Sequence, residues 1–174
     1  MAKHILKIIL IPVVLCCAAL LFLYYSGDLG IPKSWIERDA RASQKITEDW
    51  QTAMDCSDTM AALISYPEDG SDHTFSVYVN RPGLSFGYFF RGGGDIVETE
   101  QCIAKCTVEG YDACAYLSMN AQQVERLEID DGTSVKTMEL DSGKPFALVL
   151  PLNGGTITFY DKQGNVVETC TLPL

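Results

Sequence analysis

The sequence is short of the residues on which most catalytic and metal chemistry depends. It has two histidines, His4 and His73, too few for a histidine-rich metal site. Its seven cysteines include no CxxC pair, the close spacing that structural zinc favours. It carries neither a Gly-Lys-Ser/Thr phosphate loop nor a Gly-x-Gly-x-x-Gly turn, so both nucleotide fingerprints are missing. The reading at this level is no cofactor, no metal and no catalytic residue. Internal repeats and low-complexity stretches are lacking too.

Cations are scarce. The chain of 174 residues has 13 Lys+Arg against 23 Asp+Glu, a net charge of −10. Lys3 and Lys7 sit in the N-terminal tail, so the part beyond residue 25 has 11 against 23 and stands at −12. From Ile46 to Asn80 there is no Lys or Arg at all, but seven acids. Such a domain repels nucleic acid and anionic lipid. The acidic surface reads as a solvated one, and nucleic acid is excluded as a partner.

One long apolar run is present. Ile8 to Tyr25, IILIPVVLCCAALLFLYY, has no charged residue over eighteen positions. As a helix it would be ~27 Å long at ~1.5 Å per residue, close to the hydrocarbon thickness. Its eleven Ile, Leu, Val and Phe residues favour insertion by about 3–7 kcal/mol. Tyr24 and Tyr25 stand where interfacial aromatics belong, and Pro12 is tolerated in lipid. A cleaved signal peptide fits less well, because cuts after Ser26 or Gly27 place Tyr24 or Tyr25 at position −3. Lipidation at Cys16 or Cys17 also fits less well, because Leu15 or Cys16 precedes. The expectation is a single-pass signal anchor over residues 1–25, a linker over 26–33, and an extracytoplasmic domain over 34–174. The amino terminus is placed inside, although Lys33, Arg38, Arg41 and Lys45 beyond the run outnumber Lys3 and Lys7.

The rest reads as mostly β, in the α+β class. Ser34 with Glu37 matches a capping box after Pro32. Trp35, Ala42, Ile46, Trp50 and Ala53 recur at helical spacing. A helix is therefore predicted over Ser34–Ala53, its tryptophans docked on a sheet. From Thr59 the period becomes two, with turn residues every eight to twelve positions. Predicted strands are Thr59–Tyr66, Thr74–Asn80, Leu84–Arg91, Cys102–Glu109, Ala113–Met119, Val124–Ile129, Ser134–Leu140, Phe146–Leu150, Thr156–Tyr160 and Val166–Thr171. The pattern predicts antiparallel pairing. Two architectures fit: a helix on a curled antiparallel sheet, or a β-sandwich, immunoglobulin-like in outline, over Lys105–Leu174.

Five cysteines lie outside the apolar run, so at least one is unpaired within a monomer. On a strand, Cys102 and Cys106 are ~13 Å apart at ~3.3 Å per residue, too far to bridge each other or to share zinc. A cross-strand pair such as Cys106 or Cys114 with Cys170 is open. His73 reads as a solvated hairpin histidine. Gly92–Gly94 reads as a loop or bulge, and Asp69/Asp72 and Asp130/Asp131 as turn residues. In LSFGYFFR, Phe86, Tyr88 and Phe90 share one strand face beside Arg91. If no helix covers them, these four are the candidate binding surface.

Three function classes follow. The first is a membrane-anchored binding or assembly module that contacts a protein or envelope partner. The second is an envelope enzyme or accessory, which needs two carboxylates with Arg81 or Arg91, or His73 with Cys114, in one cleft. The third is a sensor acting through a membrane partner, because the N-terminal tail is too short for an output domain.

Overall fold

Apolar residues at every second position bury one face of a strand, and unbroken apolar runs bury both. Both patterns occur in the computed structural model. It describes residues 2–27, 29–81, 87–96 and 102–174, with side chains for all of these but 2–9 and Ser26. Helix α1 spans Ala2–Ser26. After it come a 3₁₀ turn over Lys33–Trp35, helix α2 over Ile36–Gln44 and, among the described residues, twelve strands. The strands are β1 (Gln51–Cys56), β2 (Met60–Tyr66), β3 (Thr74–Asn80), β4 (Tyr88–Gly94), β5 (Ile103–Thr107) and β6 (Ala113–Ser118). They continue with β7 (Val124–Asp130), β8 (Val135–Glu139), β9 (Phe146–Pro151), β10 (Thr156–Asp161), β11 (Val166–Val167) and β12 (Thr169–Pro173). The fold is mostly β with helices, in the α+β class.

The strands form three sheets of four: β1-β2-β3-β4, β12-β5-β6-β9 and β11-β10-β7-β8. The second sheet lies between the other two. Met60, Ala62, Ile64 and Val77 of the first sheet cluster with Ala104, Cys106, Ala115 and Leu117 of the central one. The opposite face of the central sheet, with Ile103, Cys114, Tyr116 and Leu150, meets Val124, Leu127 and Phe159 of the outer sheet. On the far side of the first sheet, Ala61, Leu63 and Tyr78 pack under Ile36 and Ala40 of α2. This stacking explains why β2 and β6 are buried at every position, whereas β8 is exposed throughout.

The helix predicted over Ser34–Ala53 is shorter. Helix α2 ends at Gln44, and Lys45 adopts a left-handed φ of 56°. Arg41 then fixes the reversal: its guanidinium donates to Thr47 O, Trp50 O and Thr52 Oγ1 at 3.0–3.1 Å. Ala53, assigned to the helical stripe, sits in β1 opposite Ile64. Pairing with β2 outweighed a local helical period. The capping box does not form, because Ser34 lies inside the 3₁₀ turn and Trp35 precedes α2 without a side-chain cap. Trp35 is 57% exposed, so it does not dock on the sheet; Ile36 and Ala40 do.

The sheets are not all antiparallel. β12 runs parallel to β5, from Thr169 beside Ile103 to Pro173 beside Thr107. The last segment pairs with β10 through Val166 and Val167, then crosses to the central sheet. Residues 84–86 of the strand predicted over Leu84–Arg91 lie outside the described residues. The rest extends through the glycine run, with a bulge between Val77 and Tyr78 of the partner strand.

Among the described residues, no helix is long and apolar enough to cross a membrane. On α1 every described side chain from Leu10 to Tyr25 is exposed except that of Leu23.

Candidate interaction surfaces and clefts

The four residues of the candidate binding surface do not share one environment. Tyr88 is buried under α2 in a cluster with Ile36 and Tyr78. Its hydroxyl donates to Ser57 O, and desolvation, with Cys56 beside it, holds its proton well above the ordinary tyrosine range. Phe90 is 47% exposed, its ring edge-on to Tyr78 at 5.5 Å. The register passes from Phe90 to Gly92, so Arg91 is the extra residue of the bulge, and it is exposed. Phe86 lies outside the described residues.

The disulfide joins Cys102 to Cys170, with Cα atoms 6.3 Å apart. The pairings considered for Cys106 and Cys114 with Cys170 do not form. Cys106 faces the first sheet and Cys114 the outer one. Burial pushes the Cys106 thiol up to about 12, which leaves it inert as a nucleophile. Cys56 is half-buried and donates to Ser57 O and Tyr88 Oη.

His73 is not solvated. It is 6% exposed, with Nε2 2.9 Å from Ile96 O. The central sheet separates it from Cys114, so these two do not form a nucleophile and base. Among the described residues no three His, Cys, Asp or Glu side chains group to hold a metal ion.

Tertiary packing creates clefts that sequence spacing did not mark. One of about 450 Å³ is lined by Asp58, Asn80, Arg81, Tyr111 and Asp112. It forms because the β1–β2 and β5–β6 turns lie together. Arg81 also stacks over Phe89 at 4.1 Å and donates to Gly27 O. A second cleft, of about 490 Å³, lies between the sheets at the other end, with Gln51, Tyr66, Glu68, Met119 and Lys144 in its wall. There Lys144 is paired with Asp141 at 2.9 Å. A slot of about 220 Å³ lined by Ile129, Leu150, Pro151 and Ile157 opens beside Lys136.

The acidic turns are self-satisfied. Asp131 accepts from the backbone of Thr133 and Ser134 and from both hydroxyls. The Thr133 hydroxyl foremost holds its carboxyl far below the usual range. Asp69 is lowered in the same way by Ser71.

No protein-family model matches the chain, and no curated protein or solved structure is significantly similar to it.

Proposed function

We propose that this chain is a binding or assembly module held at a membrane by α1, with its β domain displayed on the extracytoplasmic side to a protein or envelope partner. The observation that carries the reading is the uncovered apolar surface of α1. Phe22 is 71% exposed and Leu15 65%, and none of the three sheet-and-helix clusters includes a residue of α1. An apolar surface of that extent marks a lipid or protein contact. The residues of α1 whose side chains are described, 10–25, fall short of a spanning segment by themselves. Helix α1 as a whole has 25 residues and is about 37 Å long at ~1.5 Å per residue, enough to cross a bilayer.

Two further features support the reading. A disulfide between Cys102 and Cys170 suits an oxidising compartment. The strand order β5-β6-β9 against β8-β7-β10-β11 corresponds to A-B-E facing C′-C-F-G of immunoglobulin-like sandwiches, a frequent architecture of cell-surface domains. On β4 of the first sheet, Phe90 and Arg91 are the members of the candidate surface that reach solvent among the described residues.

Membrane fractionation with an alkaline wash, followed by protease shaving of intact cells, tests this. The expected result is a washed-membrane chain whose domain is cut from outside. Release of the domain into the medium sinks the anchor. Digestion only after lysis sinks the orientation.

The envelope-enzyme reading is second. The feature that favours it is the cleft that places Arg81 with Asp58 and Asp112. An activity that survives Asp58→Asn with Asp112→Asn removes that cleft from consideration.

A further inference from the structure

Resting on the membrane-anchored reading, we propose that the junction between α1 and the domain is a clamp that holds Leu29 and Trp35 in the bilayer–water interface, as a second contact between this chain and lipid.

The chain beyond α1 is fastened to the first sheet at several points. Ile31 N donates to Tyr88 O at 2.9 Å, and Tyr88 N donates to Ile31 O at 2.8 Å. This closes a short antiparallel bridge on the edge of β4. The approach is tight enough to require glycine on both sides. A Cβ on Gly30 would lie 2.7 Å from Tyr88 O, and one on Gly87, whose φ is +90°, 2.6 Å from Ile31 O. Arg81 Nη1 donates to Gly27 O, and Lys33 Nζ to Cys56 O, each at 3.3 Å. A free hinge would show none of these bonds.

The clamp keeps the domain close to the lipid. Five residues from Ser26 to Ile31 reach at most ~18 Å at ~3.6 Å each. The 3₁₀ turn begins two residues later. In that stretch Leu29 is 39% exposed and Trp35 57%, while Tyr24 and Tyr25 stand on the helix at 69% and 83%. Tryptophan and tyrosine concentrate at membrane interfaces, where the ring is out of water and its polar edge stays wet. Arg38 lies over the Trp35 ring at 5.7 Å, within reach of a lipid phosphate. The domain as a whole is acidic, so the contact depends on apolar insertion and favours zwitterionic over anionic lipid.

The two tryptophans of the chain make the test direct. Trp35 directly precedes α2, and Trp50 lies in the loop beyond it, where Arg41 binds its carbonyl. The full chain is reconstituted into phosphatidylcholine vesicles with and without lipid brominated at a shallow acyl position. Trp50→Phe leaves Trp35 as the reporter, and Trp35→Phe leaves Trp50. The expected result is quenching and a blue shift for Trp35 and neither for Trp50. Gly30→Ala, with the Cys102–Cys170 disulfide and the sheet circular dichroism retained, is expected to abolish the Trp35 quenching. Equal quenching of both tryptophans, or none, overturns the contact while the anchor stands. Unchanged quenching in a folded Gly30→Ala chain overturns the clamp. A chain that does not co-sediment with vesicles overturns both proposals.

Discussion

Arg41 shows how much of this structure hangs on single side chains. Its guanidinium ties Glu37 at 3.0 Å, two carbonyls of the α2–β1 loop, and Thr52 of β1. Thr52 in turn meets Ser65 of β2. Arg41→Ala strands those acceptors. It is expected to cost about 1–3 kcal/mol, read as a lower denaturant midpoint at unchanged slope. The exposed carboxylates make a different prediction. Asp131, Asp141 and Asp161 all sit below their ordinary value of 3.8. A carboxylate depressed in the folded state adds stability above its unfolded value, and loses it as pH falls through the folded one. Stability is therefore expected to decline below about pH 4. In an NMR titration Asp131 should remain ionised after Asp141 and Asp161 have taken up protons. Local sequence announced these turns, since Asp, Gly, Ser and Thr cluster in them. It did not announce Arg41, whose partners are set by where the chain turns back.

At the scale of elements, strands with strict period two or unbroken apolar runs were legible. β3 spans Thr74–Asn80 as predicted, and β2, β6, β9 and β10 differ from prediction by a residue at an end. The failures share a cause. Residues 51–53 fall within the predicted helix, on a stripe that ends at Ala53, but are drawn into β1 by pairing with β2. His73 sits in an acidic turn but is buried by Ile96 arriving from beyond β4. Helix α2 stays on the sheet through Ile36, which is fully buried. Ile36→Ala is expected to cost about 2–4 kcal/mol, and hydrogen exchange in α2 should accelerate while that in β6 stays slow. The disulfide secures the one parallel pairing among the described residues. It closes a separation of 68 residues, so Cys102→Ser with Cys170→Ser is expected to lose about 4 kcal/mol. Urea titration of the double variant against the oxidised parent measures it.

For the whole molecule, the three buried clusters account for the folded part without α1. A chain that begins at Leu29 is therefore expected to fold with the Cys102–Cys170 bond intact and to stay out of the membrane fraction. Sedimentation and near-ultraviolet circular dichroism check this. The class of the protein, its acidity, its apolar N-terminal run and the sites of most strands were set by sequence alone. Periodicity, charge and turn composition are local properties, readable within a window of ten or so residues. Which cysteines bond, that β12 lies parallel to β5, that three sheets stack under one helix, and that Tyr88 is covered while Trp35 is not were decided only by tertiary structure. Each joins residues far apart in the chain, and which of those meet is decided by burying both faces of the central sheet at once.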